Sequence, residues 1–541
     1  MIIFGNLIDI HNKRQFPAEI SIKNGKIESI NEVNNNCMEF ILPGLIDAHI
    51  HIESSMLTPG NFARAAVSRG TTGVVSDPHE IANVMGIEGI KFMIKDSEKV
   101  PVKFWFGAPS CVPATKFETN GSTINSEEIR KMLKDKRIKY LAEVMNFPDV
   151  INNDPEVFEK INAAKEEGKR IDGHAPGLSG RDLKKYIMAG ISTDHECSEI
   201  EEAREKIKSG MKILIREGSA AKNMNALKEL FKEYPDDIML CCDDLHPEDL
   251  MKGHIDKLVS RLISEGYNIF DVIRSATINP VMHYGLNNGL LKPGDRADFI
   301  VVDNPYEMNV LETWINGEKV FDRGKVNFGY RQKKEINNFN CTDIDEKILA
   351  VRNTFGKFRV IEAFDKELLT REIIHKPVRG EFIETSVSED LLKIVVKDRY
   401  NDGPPSMGFI KGFGLKQGAI ASSIAHDSHN IVSVGTNDKD IVGAISEIVR
   451  LRGGLAVSFN GKTESLKLNI AGIMSNRPCG EVAAEYEKIN LLVKDLGCIM
   501  TAPFMTLSFM ALLVIPELKI SDRGLFDGKN FSMTTLFESN S

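Results

Sequence analysis

The chain has 541 residues, of which 42% are hydrophobic and 27% charged, and its formal net charge is −9. At about 150 residues per domain this length predicts three or four domains, and the composition excludes a disordered chain. The 68 basic residues form no concentrated tract among the 77 acidic ones. This distribution disfavours nucleic-acid and membrane partners and favours a small diffusible substrate.

Cysteine usage and the absence of targeting segments indicate a cytoplasmic protein. The eight cysteines include no C-x-x-C pair, which is typical of free thiols in a reducing compartment. The N-terminal residues lack the basic start and the long apolar stretch of a signal peptide. The apolar run 509–515 is followed by Pro516 and is too short to span a bilayer.

Both flanks of the N-terminal half have the pattern of short strands. Residues 1–42 and 286–335 alternate apolar and polar side chains, and each range contains an Asn-Gly pair, at Asn24-Gly25 and Asn316-Gly317. Asn-Gly is a strong signal for a two-residue hairpin turn. We expect the two ranges to form one small β-sandwich domain.

Residues 43–285 alternate between strand and helix patterns, which predicts a (β/α)₈ TIM-like metallohydrolase barrel. The eight candidate strands are 45–51, 72–77, 103–108, 140–145, 170–174, 191–195, 212–217 and 237–242. A doubly wound sheet is disfavoured because no G-x-G-x-x-G follows the first strand. Asp154-Pro155 and the capping-box pattern Ser198–Glu201 predict two helix starts. Residues 340–541 mix strand and helix patterns with glycine-rich turns, and we expect them to form a separate mixed α/β domain.

Metal-binding side chains occur where the predicted barrel strands end, which is where barrel active sites lie. The candidates are His49, His51, Glu143, His174, Asp194, His195, Asp243 and Asp244. His49 and His51 share one face of an extended segment. A lone H-x-H is usually incidental, but the complete set is hard to obtain by chance. Imidazole and carboxylate suit Zn²⁺, Mn²⁺ or Fe²⁺. Six protein ligands are too many for one tetrahedral ion with an open site, and they suit two ions that share a bridging ligand.

Several motifs carry a resemblance to a known family. PGLIDAHIHIE (43–53) resembles the strand-one signature of the amidohydrolase superfamily, and the flanking strand ranges match its small domain. Over nearly its whole length the chain is more closely similar to the bacterial adenine deaminases. The motifs are HIHIESSM (49–56), SDPHEIANVMG (76–86), EVMNFP (143–148), DGHAPGLSG (172–180), GISTDHE (190–196), CCDDLHPEDL (241–250) and AHDSHNIVSVGTND (425–438).

The resemblance implies a binuclear metal centre. In it, His49, His51 and Asp243 would hold one ion, His174 and His195 the other, and Glu143 would bridge the two. Asp244 remains an alternative to Asp243. Many amidohydrolases bridge with a carbamylated lysine, but the only lysine of strand four, Lys139, stands at its start. Manganese or iron is the implied metal, with zinc as a further possibility.

The implied reaction is hydrolytic deamination of adenine to hypoxanthine and ammonia, in purine salvage or catabolism. A hydroxide activated by the two ions would attack C6, with Asp243 as general base. Glu80 would carry a proton to N1 of the ring, or alternatively would only cap the following helix. His79 would line the pocket or steady Glu80, and Asp77 is expected to serve a structural turn.

The motif HDSHN adds candidate substrate contacts in the C-terminal domain. His426, Asp427 and His429, together with Asp244, are the candidate pocket residues. A network of turn hydrogen bonds is the commoner explanation of such a motif, but the resemblance extends through it. We therefore expect this domain to close the pocket over the purine.

Two other functions compete with deamination of adenine. Some N-acetyl amino-sugar phosphate deacetylases also take a glutamate from strand four, but such an enzyme needs a phosphate-binding group, and no matching motif is found. A sensor without catalytic activity would be expected to have lost a metal ligand, and the complete set is present. A homodimer or higher homo-oligomer is the default expectation.

Overall fold

The computed structural model of the protein describes residues 1–34, 37–219, 221–376 and 379–538. The chain forms two compact units. The first unit consists of Met1–His79, Lys91–Cys111 and Ile124–Gln332, and the second of Glu80–Ile90, Val112–Thr123 and Lys333–Ser541. Two segments within the range predicted for the barrel, 80–90 and 112–123, therefore belong with the C-terminal residues.

The first unit contains the predicted barrel, with all eight strands present. Strands one to eight are Leu45–Ile50, Thr71–Ser76, Lys103–Ala108, Ile138–Val144, Arg170–Gly173, Thr193–Asp194, Lys212–Arg216 and Ile238–Cys241. Strands one to five pair in parallel in this order, and so do strands six to eight. The ring closes where Asp243 N–H donates to His49 O and Ser192 N–H donates to Ile171 O. The prediction of a barrel is confirmed.

Helices alternate with these strands and also follow the last of them. Their bounds are Pro59–Ala66, His79–Ser97, Ser126–Leu133, Phe147–Ile151, Pro155–Glu166, Gly180–Met188, Ile200–Lys208, Met224–Leu227, Pro247–Lys252, Ile255–Ser264, Ile269–Ser275 and Ile278–Tyr284. Asp154 caps the helix that starts at Pro155, as predicted, by accepting from the N–H groups of Glu156 and Val157. The predicted capping box was wrong, because Glu199 and not Ser198 is the N-cap of Ile200–Lys208.

The two strand-rich flanks form one eight-stranded sheet in the first unit. In spatial order its strands are Lys325–Val326, Glu318–Asp322, Val310–Ile315, Phe299–Val302, Phe40–Pro43, Ile2–Asp9, Arg14–Lys23 and Lys26–Glu32. Both Asn-Gly pairs form tight hairpins with positive φ, 51° and 73° at Asn24-Gly25 and 52° and 77° at Asn316-Gly317, as the type I′ turn requires. Phe299 stacks on Trp314 with ring centroids 5.4 Å apart in the apolar core of this sheet.

The second unit is built on another eight-stranded sheet. In spatial order its strands are Thr370–His375, Phe358–Ala363, Ser406–Lys411, Leu392–Lys397, Ile431–Gly435, Ala419–Ser422, Gly454–Phe459 and Lys462–Lys467. The unit also contains the α-helices Asp438–Leu451, Cys479–Asp495 and Pro503–Phe509, the 3-10 helices Glu346–Leu349 and Val387–Glu389, and the small sheet Leu518–Ser521, Gly524–Asp527 and Ser532–Met533. Ile441, Ile445 and Ile448 lie on one face of the first helix at helical spacing and pack into the core.

The helix His79–Ser97 is interrupted near its start. Gly86 has φ 58° and ψ −145°, which breaks the helical geometry. A side chain at this position would also collide with another residue of the second unit, because a Cβ would lie 2.4 Å from the side-chain oxygen Oγ of Ser122. Glycine avoids both costs.

All eight cysteines are free thiols. Among the described residues, no helix combines the length and the apolar character that crossing a bilayer requires.

Candidate metal centre

The carboxyl ends of the barrel strands bring the six predicted metal ligands together. His49 lies on strand one and Glu143 on strand four. His51, His174 and His195 directly follow strands one, five and six, and Asp243 lies two residues after strand eight. All except His174 are buried, and the His174 side chain is only 14% exposed. Because parallel strands of a barrel end at one rim, residues far apart in sequence meet there.

Asp243 faces the two histidines of strand one. Its Oδ1 lies 3.4 Å from His49 Nε2 and 3.1 Å from His51 Nε2. The backbone holds this arrangement, since Asp243 N–H donates to His49 O, and His51 N–H donates to Asp243 O. Asp243 adopts φ 60°, a conformation that aspartate tolerates better than most residues.

Glu143 lies between the two groups of imidazoles. Its Oε1 is 3.4 Å from His51 Nε2, whereas its Oε2 is 3.0 Å from His174 Nδ1 and 3.3 Å from His195 Nε2. Each oxygen of one carboxylate therefore faces a different side of the cluster, as a bridging ligand must. Lys139 is exposed at the start of the same strand, away from this rim.

Two imidazoles present nitrogen atoms suited to a metal ion. His51 Nδ1 lies 3.1 Å from the Asp77 carbonyl oxygen, and a hydrogen bond there places the proton on Nδ1 and leaves the Nε2 lone pair for a ligand bond. His49 Nε2 is buried and makes no hydrogen bond within the described part of the chain. Such a buried, unsatisfied polar atom is costly unless something else binds it. The donor set therefore fits a divalent cation.

The electrostatics of the cluster favour cations. Burial alone would raise the pKa of Glu143, but hydrogen bonds from His174 and His51 hold it well below the usual range. Burial lowers the pKa of His49, and the nearby His195 adds to that effect. For His195 burial acts in the same direction, but Glu196 and Glu143 raise its pKa to about 9. Without metal, protons on imidazoles balance the carboxylates, and a bound metal ion would displace them.

Buried acids behind the ligands fix the strand ends. Asp47 Oδ1 accepts from the N–H groups of His49 and Cys242, both at 3.2 Å, and Asp47 Oδ2 lies 2.9 Å from His254 Nε2. Such partners orient the ligands that they support.

A second buried acid supports the opposite side of the cluster. Asp194 Oδ1 accepts from Ala175 N–H at 2.9 Å, and Asp194 Oδ2 accepts from Lys206 Nζ at 2.8 Å. These contacts join the segment after His174 to strand six, which His195 directly follows. The side chain of Lys206 is fully buried, and its charge is tolerated there because it is paired with Asp194.

Arg216 and Glu196 also lie in the cluster, although they were not among the residues predicted from the sequence. Arg216 ends strand seven and donates to the carboxylates of Glu196 and Asp243. Arg216 could have been found from the sequence if every charged residue at a strand end, and not only metal-binding side chains, had been considered. Glu196 directly follows His195, and its Oε1 lies 3.4 Å from His195 Nε2.

His79 and Asp77 also belong to this rim. Asp77 Oδ2 accepts from His79 Nδ1 at 2.9 Å, and His79 Nδ1 lies 3.5 Å from Glu143 Oε1. Asp77 therefore orients an imidazole, in addition to the turn expected of it. His79 thus lies beside Glu143, and its predicted role in lining the pocket stays a prediction.

The two candidate aspartates of strand eight have different partners. Ser54 Oγ donates to Asp244 Oδ1 at 2.5 Å. Asp244 can still contribute to a ligand group with His51 and Asp243. The close approach of Asp243 Oδ1 to both His49 and His51 favours Asp243 as the ligand.

In the second unit, the two histidines of the HDSHN motif hold Glu80. His426 Nδ1 lies 2.6 Å from Glu80 Oε1, and His429 Nε2 contacts Glu80 Oε2. Burial lowers the pKa of His429 to about 4 although Glu80 opposes this effect, so this imidazole is neutral near pH 7. Glu80 lies in the first turn of its helix. Its carboxylate also contacts the two histidines, so capping the helix is not its only interaction.

Asp427 is the third candidate of this motif. Asp427 is buried. Burial of Glu118 raises the pKa of that carboxyl well above its usual range, and the negative charge of Asp427 raises it further. Turn hydrogen bonds accompany the motif, since His429 N–H donates to Ala425 O at 2.6 Å. The predicted contacts of these residues with substrate stay predictions.

Comparison with known proteins gives two family matches. The model of the amidohydrolase family matches residues 40–320, and the model of the adenine deaminase C-terminal domain matches residues 367–532. The second match lies within the part of the chain that follows the barrel and its flanking sheet.

Individual relatives match over almost the full length. A curated protein of Methanosarcina mazei named adenine deaminase is 51% identical, and the alignment covers 98% of this chain and 99% of that protein. A protein of Borreliella burgdorferi with the same name is 48% identical, with 98% of each chain covered. A solved β-aspartyl dipeptidase of Fervidobacterium islandicum covers 61% of this chain and 100% of its own at TM-score 0.47 and 17% identity.

Metal binding predicts a measurable gain in thermal stability. We expect Mn²⁺ to raise the melting temperature of metal-free protein by several degrees, because a ligand at 100 times its Kd stabilises the native state by about 2.7 kcal/mol. Glu143→Gln should reduce this rise strongly, since the amide loses a charge and one acceptor oxygen. Differential scanning calorimetry measures the effect.

The matched control for this measurement is Glu312→Gln, which changes a glutamate of the flanking sheet that contacts Trp314 and Lys319. It should keep the full Mn²⁺-dependent rise. An equal rise in Glu143→Gln and in the control would contradict the assignment of Glu143.

Proposed function

Because the chain belongs to the amidohydrolase family and, within it, to the adenine deaminases, we propose that it hydrolyses adenine to hypoxanthine and ammonia. The observation that carries the substrate is the 51% identity, over 98% of the chain, to a curated relative named adenine deaminase. The buried cluster of imidazoles and carboxylates at the barrel rim supports a hydrolytic reaction that uses metal ions. No structural observation favours an amino-sugar phosphate as substrate.

The proposed cofactors are two divalent ions, Mn²⁺ or Fe²⁺ in preference to Zn²⁺. His49, His51 and Asp243 would hold one ion, and His174 and His195 the other, with Glu143 between them. The opposite orientation of the two Glu143 oxygens supports two positions rather than one. When bound, the ions would lower the pKa of a water molecule, so that hydroxide is available near neutral pH.

The chain's own residues would move the protons of the reaction. Asp243 would accept the proton released as water adds to C6. N1 becomes basic as water adds to C6 and takes up a proton, and departure of ammonia then needs one further proton on the exocyclic nitrogen. We assign the proton transfer to N1 to Glu80, which His426 holds, and expect His79, which Asp77 holds, to line the pocket or steady Glu80.

The pocket residues complete the proposal. Asp244, His426, Asp427 and His429 would meet polar atoms of the purine directly or through Glu80. Hydrogen bonds of this kind select strongly among ring systems, which an apolar pocket does not. We also propose a cytoplasmic enzyme that forms a homodimer or higher homo-oligomer.

Turnover of adenine is the direct test of this function. We expect Mn²⁺-loaded wild-type protein to convert adenine to hypoxanthine, which ultraviolet absorbance follows, with release of one ammonia per hypoxanthine. Glu143→Gln should lose this activity together with bound Mn²⁺. N-acetylglucosamine 6-phosphate serves as the comparison substrate and should yield no acetate.

Two results would count against this function. Absence of adenine turnover with two ions bound would exclude adenine as substrate but leave the metal centre intact. Release of acetate from the amino sugar would transfer the proposal to a deacetylase.

The role of Glu80 is tested separately. We expect Glu80→Gln to lower kcat for adenine by about 100-fold or more, because general acid–base catalysis contributes factors of this size, while Mn²⁺ binding stays unchanged. The control His375→Gln removes an exposed contact with Glu389 and should leave kcat unaltered. A Glu80→Gln enzyme with wild-type kcat would restrict Glu80 to a structural role.

A further inference from the structure

Arg216 joins two carboxylates at the rim of the barrel. Its Nη1 donates to Asp243 Oδ2 at 2.5 Å, its Nη2 donates to Glu196 Oε2 at 2.9 Å, and Nη1 also contacts Glu196 Oε1. All three side chains are at least 90% buried. The guanidinium thus forms a two-point contact with Glu196 and a single contact with Asp243.

This contact divides the two oxygens of Asp243 between different partners. Oδ2 binds Arg216, while Oδ1 lies 3.4 Å from His49 Nε2 and 3.1 Å from His51 Nε2. The backbone of Asp243 is fixed on both sides by hydrogen bonds to strand one. The carboxylate plane therefore has little freedom to rotate while Arg216 holds Oδ2.

We propose that Arg216 is a positioning residue, which together with Glu196 keeps Asp243 Oδ1 turned toward His49 and His51 and so prepares the ligand set for a divalent cation. This inference deepens the proposed function and rests on it. Arg216 acts through Asp243.

The charge balance explains why Glu196 is needed. A guanidinium buried beside a metal ligand would repel an incoming cation and would be costly to desolvate without partners. Glu196 compensates this charge, and its Oε1 also lies within 3.4 to 3.6 Å of His195 Nε2 and His174 Nδ1. The pair Arg216–Glu196 thus connects both sides of the ligand cluster without adding net charge.

Arginine suits this position better than lysine. The planar guanidinium has several N–H groups in a fixed fork, so that it can bind two carboxylates at defined angles. A lysine ammonium has the same charge but lacks the fork. Arg216→Lys therefore separates the effect of geometry from the effect of charge.

The test measures Mn²⁺ affinity of metal-free protein by isothermal titration calorimetry, for wild type, Arg216→Ala and Arg216→Lys. We expect Arg216→Ala to bind Mn²⁺ about 10- to 100-fold more weakly, as is typical when a partner of a metal ligand is lost. Millimolar guanidinium chloride should restore part of the affinity of this variant, whereas equal sodium chloride should not. Arg216→Lys should stay weaker than wild type.

The control is Arg204→Ala, which removes an arginine that also joins two glutamates, Glu201 and Glu233, but on the outer helix Ile200–Lys208. It should bind Mn²⁺ as wild type does. Circular dichroism checks that each variant is folded, and Arg216→Lys, which keeps the charge, provides the measurement if Arg216→Ala does not fold.

Unchanged or tighter Mn²⁺ binding in the folded Arg216 variants would overturn the proposal, and so would full affinity in Arg216→Lys. Adenine turnover is measured in parallel. If wild type binds Mn²⁺ but does not deaminate adenine, the proposed substrate fails, while the affinities still decide the role of Arg216.

Discussion

The carboxylate of Glu143 is the interaction on which the site depends. One oxygen faces His51 and the other faces His174 and His195, so one side chain links residues from strands one, five and six. Burying this charge among imidazoles costs several kcal/mol unless it is compensated. Protons or metal ions must supply that compensation, and the surrounding residues hold the groups where a cation can do so.

The support for this arrangement comes from buried polar contacts at several strand ends. Asp47 holds the backbone of strand one, Asp194 with Lys206 holds the segments that carry the later histidines, and Arg216 with Glu196 holds Asp243. These contacts hold in place the side chains that we propose as metal ligands. The barrel supplies the close approach of the strand ends, and the buried pairs supply the orientation of the side chains.

Much of the fold and the rim followed from the sequence. Strand order and strand-end residues were predictable because parallel strands of a barrel end at one rim. The Arg216–Glu196 pair was not, since it depends on side-chain conformations on neighbouring strands. The helix start at Ile200 was mispredicted: Glu202 in its first turn accepts from Gly177 N–H, a contact with a distant segment that the local pattern does not show. No pattern marked residues 80–90 and 112–123 as parts of the second unit.

Anomalous diffraction from crystals of the Mn²⁺-loaded protein, recorded at the manganese absorption edge, tests the central claim most directly. We expect two peaks about 3.5–4 Å apart, one beside Asp243 Oδ1 and the other beside His174 and His195, with the Glu143 carboxylate between them. A single peak, or peaks away from these side chains, would contradict the two-ion centre.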